Sequence, residues 1–165
     1  QKNMKELDSS YYTDIGIFKE ETYEDSGKTT PEVGAAHELG VLSQNLPRRS
    51  FLEDPIRDHM TKILKGLSAT IGKKLVESNM EDIFSAIGVN AEKVVQKGFR
   101  TKGYGKWPEL SPVTVANKAV KAMKIRDYKR ITKAVTRSQR NKASNSILID
   151  TEQLKNSIEW RIGRD

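Results

Sequence analysis

The chain contains no cysteine in 165 residues. That excludes a disulfide framework, a thiolate metal site and a cysteine nucleophile. Histidine is nearly as scarce: the only two, His37 and His59, share no HExxH-type spacing, and a metal site needs three or four ligands. No metal and no other cofactor is expected. The apolar fraction of 36% is low for a globular domain, yet too high for a disordered chain, so a modest core with polar extensions is expected. No apolar run approaches the ~18 residues that span a bilayer, and no membrane partner is expected. No signal-peptide pattern is visible. Because the chain starts at Gln1 rather than Met, its native beginning is expected upstream. Phosphate-cradling glycine motifs are also lacking. "KGYGK" and "GKWPEL" hold Gly and Lys but match neither GxxxxGK(S/T) nor GxGxxG after a strand.

What is present is charge, unevenly spread. The net charge is +7. Residues 1–60 hold 7 Lys+Arg against 12 Asp+Glu, a net of −5. Residues 61–99 hold 6 against 4, residues 100–145 hold 13 against 2, and residues 146–165 hold 3 against 4. An acidic piece is thus joined to a basic piece. Such polarity suits contact with nucleic acid, or head-to-tail self-association in which an acidic face meets a neighbour's basic face.

The length suits one domain, residues 1–165. "YYTDIGIFK" alternates as a strand over 11–19, and "EETYEDSGKTT" is a loop. In "TPEVGAAHELG", Thr30 is read as N-cap, Pro31 as the first helical residue and Gly40 as the stop. "VLSQNLPRRSFLEDP" is a loop. A long helix is expected from about Asp54-Pro55, with Ile56, Met60, Ile63, Leu64, Leu67, Ile71 and Leu75 at helical spacing. Ser78 or Asn79 caps the next helix, 80–100, which Gly88-Val-Asn90 is expected to split. "RTKGYGKWPEL" is a Gly-rich basic loop in which Trp107 anchors the loop to the domain. Ser111 and Pro112 then open another helix as N-cap and N1. Residues 125–145 form a basic, weakly helical, extended segment. Ile147 to Ile149 read as a buried strand. Asp150 reads as an N-cap with Gln153 at N3, and Ile158, Trp160 and Ile162 alternate as a closing strand. The fold class is α+β: a small, mostly antiparallel sheet packed against helices, with a long central helix or helix pair.

Few residues invite chemistry. Asp150-Thr151 offers a general base in principle, but no histidine or nucleophile accompanies it, and an N-cap role worth about 1 kcal/mol accounts for it. His37, beside Glu38, is expected to pack on the sheet or hydrogen-bond a neighbour. A hydrolase using Asp150 or His37 has no supporting constellation. The strongest electrostatic signal is the basic stretch. Lys118, Lys121, Lys124, Arg126, Lys129, Arg130, Lys133 and Arg137, followed by Arg140 and Lys142, could meet DNA phosphates or an acidic protein partner; the bland alternative is a solvated arm.

Four blocks, "EVGAAHELG", "LPRRSFLEDPI", "WPELSPVTVANK" and "ILIDTEQLKNSIEWRI", occur in an order that resembles the virion-morphogenesis superfamily. These are the head–tail joining and tail-completion (neck) proteins of tailed phages. His37, Glu38 and Gly40 match that pattern, with Leu39 where Phe is usual. Pro47, Arg49, Phe51 and Leu52 match, with Ser50 in place of Pro. Leu110, Ser111, Pro112 and Thr114 match, as do Ile149, Asp150, Thr151, Leu154, Ser157 and Ile158. Glu152 stands where Gly is usual, which is read as meaning that no positive φ is needed there.

The resemblance implies a non-enzymatic structural protein of the virion, assembled in the host cytoplasm. It implies a homo-oligomeric ring at the head–tail junction, a hexamer being one candidate, joining the head connector to the tail as a neck, tail-completion or tail-terminator protein. The partners implied are other copies of the chain, neighbouring connector, terminator or tail proteins, and genomic DNA in the bore. A ring needs a heterologous interface. Arg48, Arg49, Phe51 and Leu52 are candidate anchors for it, because Arg and aromatic side chains dominate such contacts; alternatively Phe51 and Leu52 staple the loop to their own sheet. The rival class is a DNA-binding accessory protein acting through residues 100–145.

Overall fold

The computed structural model describes residues 11–24, 26–71, 80–122 and 152–164. The strand expected at 147–149, the Asp150-Thr151 junction and the basic segment 125–145 lie outside these residues, as do Ser78 and Asn79.

Strands from the two ends of the chain pair with each other. β1 (Tyr11–Ile17) and β2 (Ile158–Arg164) run antiparallel, in a register from Tyr11 opposite Arg164 to Ile17 opposite Ile158. Between them in sequence come α1 (Thr30–Leu39), α2 (Glu53–Ile71), α3 (Met80–Arg100), α4 (Pro112–Ala122) and a single helical turn, Gln153–Asn156. The expected α+β class, with a small antiparallel sheet and a long helix pair, is what the chain forms.

The sheet rests on α3. Thr13 Oγ1 donates to the Phe84 carbonyl at 2.9 Å, and Tyr11 stacks on Phe84 with centroids 5.8 Å apart. Further along, Trp160 of β2 lies over Gly88, where a Cβ would come within 2.4 Å of the indole. Gly88 therefore serves a close crossing of strand over helix. It does not interrupt the helix: the expected split at Gly88-Val-Asn90 does not occur, and α3 is continuous. One glycine costs only about 1 kcal/mol in a helix, and burial along the rest of α3 outweighs it.

Two apolar clusters follow from the helical periodicities. Ile63 of α2 packs with Ala91 and Val94 of α3. Phe51, Val95, Phe99, Trp107, Leu154 and Ile158 form the larger cluster. Phe51 and Phe99 lie 5.3 Å apart, and Trp107 meets Phe99 edge-on at 5.7 Å. The expected anchoring role of Trp107 is realised: it is buried, and its Nε1 donates to the Ser50 carbonyl at 2.8 Å.

Three local readings need correction. α1 is capped by Thr29, not Thr30. Thr29 Oγ1 accepts from the Glu32 N–H, and the Glu32 carboxylate takes the Thr29 N–H at 2.8 Å, a capping box. Thr30 is instead the first helical residue; it is fully buried and its hydroxyl donates to the Lys19 carbonyl. Gln153 is the first residue of its helical turn rather than N3. Finally, Glu152 has φ 59°, so the left-handed conformation is required there after all, and a non-glycine residue supplies it. The Gly40 stop, at φ 77°, and the Ser111 cap, whose Oγ accepts from the Thr114 N–H at 3.2 Å, are as expected.

Candidate functional site and assembly surfaces

Three of the sequence blocks converge on one clasp. Glu38, in the last turn of α1, reaches the start of α2. Its carboxylate accepts from Ser50 Oγ at 2.5 Å and from the main-chain N–H groups of Phe51, Leu52 and Glu53 at 2.8, 3.0 and 3.1 Å. A helix N-terminus presents N–H groups without intrahelical partners and favours negative charge; here the carboxylate comes from another helix. Ser50 Oγ in turn accepts from the Asp54 N–H at 2.9 Å, which places the start of α2 at Glu53.

Arg49 closes the clasp. Its main-chain N–H donates to the His37 carbonyl at 2.7 Å. Its guanidinium donates through Nε to the Pro108 carbonyl and through Nη2 to the Glu109 carbonyl, both at 3.2 Å. Burial lowers its pKa. The fourth block joins through packing, with Leu154 and Ile158 in the same cluster as Phe51 and Trp107.

This geometry corrects part of the expected interface. Phe51 is 0% exposed and Arg49 4%, so both are buried within the chain itself, and for Phe51 the stapling alternative holds. Trp107 and Phe99 supply the apolar surface that Phe51 covers. Leu52 is half-buried beside Ile15 and Ile56 in a shallow apolar depression that Met60 also lines. Arg48 is exposed, and bridges Asp54 at 2.7 Å and Glu53 at 3.1 Å. That pairing lowers the Asp54 pKa, with the Arg48 hydrogen bond as the main cause.

Beside the clasp lies a groove of about 640 Å³, walled by Val33 and His37 of α1, Leu46 and Pro47, Leu110, and Thr114 and Lys118 of α4. His37 Nδ1 is buried with no hydrogen-bond partner among the described residues. Burial first, then the positive charges of Arg49 and Lys118, push the His37 pKa down to about 4, so the ring is neutral near pH 7. The expected hydrogen bond from this imidazole is not made at Nδ1. His59 packs on Tyr104 at 4.0 Å, with Nδ1 3.0 Å from the Pro55 carbonyl. Among the described residues no group of three His, Asp or Glu side chains is placed to hold a metal, and no helix is long and apolar enough to cross a membrane.

The expected basic surface is only partly within the described residues. Lys118 is half-buried on α4. Lys121 lies on α4 by its backbone. Lys124, Arg126, Lys129, Arg130, Lys133 and Arg137 fall outside, as do Arg140, Lys142, Asp150 and Thr151. Ser111 and Pro112 stand at the start of α4.

A basic ridge that the sequence reading passed over lies on α3. Lys93, Lys97 and Arg100 share a shallow groove of about 570 Å³ with Val89, Glu92 and Gln96. Exposed Arg100 runs into the left-handed turn Lys102, Gly103, Tyr104 and Gly105, whose φ values are 53°, 64°, 57° and 81°. Gly103 is required there, since a Cβ would come 2.2 Å from the Trp107 ring. Tyr104 pins the turn down by donating its hydroxyl to the Val94 carbonyl at 2.8 Å. The i, i+4, i+7 spacing of Lys93, Lys97 and Arg100 was the available signal for a shared face. Comparison with protein-family models, with curated proteins and with solved structures finds no match to this chain.

Proposed function

We propose that the chain is a structural protein of the tailed-phage head–tail junction: a neck, tail-completion or tail-terminator subunit that assembles as a ring and joins connector to tail. The observation that carries this reading is the clasp. The blocks behind the resemblance stand far apart in sequence, yet the side chains of Glu38, Arg49 and Trp107 each bind main-chain groups of another block, and Leu154 and Ile158 complete the same core. That pattern supports blocks that serve the architecture of a building unit. Among the described residues, Glu38, Arg49 and Trp107 are engaged with main-chain atoms, as groups that hold a fold together are.

The test is assembly. Light scattering after size exclusion, with negative-stain imaging, should reveal closed rings of the chain alone or mixed with connector and tail proteins. A monomer under all of those conditions ends the reading. The basic ridge favours a second reading, a DNA-binding accessory protein, because Lys93 and Lys97 extend the basic stretch 100–145 back along α3, in one groove with Arg100. That reading requires DNA affinity to fall with salt at a slope of about −0.9 per neutralised phosphate.

A further inference from the structure

Of the nine described acidic residues among the first sixty, five are engaged within the chain. Glu38 caps α2 and Glu32 caps α1. Glu53 and Asp54 pair with Arg48 and Arg57, and Asp58 pairs with Lys106 at 2.5 Å. What remains is concentrated in the hairpin after β1. Glu20, Glu21 and Glu24 are exposed there, and among the described residues no ion pair holds their carboxylates. Lys28 is the cation across the turn. The hairpin is built rather than loose: Thr22 bridges Thr29, and the Tyr23 N–H donates to the Lys28 carbonyl at 2.8 Å.

The basic side shows the same sorting. Arg48, Arg57 and Lys106 are paired. Lys93, Lys97 and Arg100 make no ion pair among the described residues; Lys97 lies 6.0 Å over the Tyr104 ring, and Glu92 is the one acidic residue lining their groove. Glu20, Glu21 and Glu24 on one side, and Lys93, Lys97 and Arg100 on the other, are thus same-sign clusters that no ion pair among the described residues satisfies, whereas Asp14, Lys62 and Lys65, also without an ion pair there, lie on β1 and α2.

We propose that the Glu20, Glu21 and Glu24 hairpin of one copy docks on the α3 ridge, Lys93, Lys97 and Arg100, of the next. The contact is heterologous, as a ring requires, and the ordered hairpin keeps the entropic cost of docking small. Val89, 37% exposed at the end of the ridge, adds an apolar contact. DNA would account for the ridge but leaves the acidic hairpin without a role. The proposal names the surfaces used in the ring and rests on that reading of the chain.

A charge swap tests it. E20K/E21K/E24K and K93E/K97E/R100E alter exposed side chains, and circular dichroism checks the fold; where a triple variant does not fold, E21K and K97E replace it. Each variant alone should assemble at least about tenfold more weakly than wild type. An equimolar mixture should recover assembly as alternating copies, and added salt should weaken every assembled form. Variants that assemble like wild type overturn the docking and leave the ring reading intact, as does a mixture that fails to recover. Loss of DNA affinity in the ridge variant with assembly unchanged assigns the ridge to DNA and overturns the docking. A wild-type chain that stays monomeric, alone and with connector or tail proteins, overturns both.

Discussion

The Phe51 main-chain N–H donates to the Glu38 carboxylate at 2.8 Å, across thirteen residues of sequence. That bond joins the end of α1 to the start of α2, and the same carboxylate serves three further donors. Leaving a buried donor without its acceptor costs about 1–3 kcal/mol. Glu38→Ala should therefore lower unfolding stability by about 3 kcal/mol, with Glu38→Gln losing roughly half as much because it keeps one acceptor oxygen. Urea denaturation with an unchanged m-value checks this. A loss below about 0.5 kcal/mol for Glu38→Ala would show that water replaces the carboxylate at no cost.

His37 sets a pH window. Its folded pKa is lowered to about 4 from 6.5, so below pH 6.5 the unfolded chain binds the proton more readily than the folded one. The sign follows: this contribution is fully present above pH 6.5, falls as pH drops toward 4, and changes no further below that. The upper bound is about 3 kcal/mol, at 1.36 kcal/mol per pKa unit, and partial solvent contact at the groove reduces it. His37→Gln cannot titrate. The difference between wild type and His37→Gln should therefore shift by about 1–3 kcal/mol between pH 7 and pH 4. A difference constant across that range would remove the buried, neutral imidazole from the account.

Much of this fold could be read from spacing. The pairs Thr13/Ile15 and Ile158/Trp160 alternate, Ile63/Leu67 and Val95/Phe99 recur at helical intervals, and Gly40 and Ser111-Pro112 mark helix ends by their chemistry. What escaped was mostly non-local. Thr29 and Thr30 are equally good cap residue types; the Thr29-x-x-Glu32 spacing was the local signal for Thr29, and burial of Thr30, whose hydroxyl donates to the Lys19 carbonyl, confirms the choice. Phe51 looked like an interface anchor because aromatics fit interfaces and cores equally well; the indole of Trp107, more than fifty residues away, decides between them. Glu38 shows no sequence sign that its charge faces α2, since that depends on the Gly40 turn folding the chain back.

Gly88 reverses an ordinary rule. Replacing a mid-helix glycine by alanine normally stabilises by about 1 kcal/mol. At Gly88 the new methyl would sit 2.4 Å from Trp160, and overpacking costs about 1–3 kcal/mol. Gly88→Ala should come out destabilised by about 1–2 kcal/mol, with a change in tryptophan emission as Trp160 is displaced. A stabilised variant would mean that β2 moves off α3 freely.

Glu152 lies inside the block that carries the resemblance, at a position where the resembled pattern has glycine, and its φ is 59°. A left-handed non-glycine residue bears about 1–2 kcal/mol of strain, while glycine loses about 0.5–1 kcal/mol more conformational entropy on folding. The side chain returns little, because its pair with Lys155 is long, at 3.4 Å, and exposed on the Glu152 side. The balance favours glycine, so Glu152→Gly should raise stability by about 0.5–1 kcal/mol. Glu152→Ala, which keeps the strain, should stay within about 0.5 kcal/mol of wild type. The pair of variants separates backbone from side chain: if alanine and glycine shift the urea midpoint equally, the Glu152 side chain governs this turn and the left-handed backbone does not.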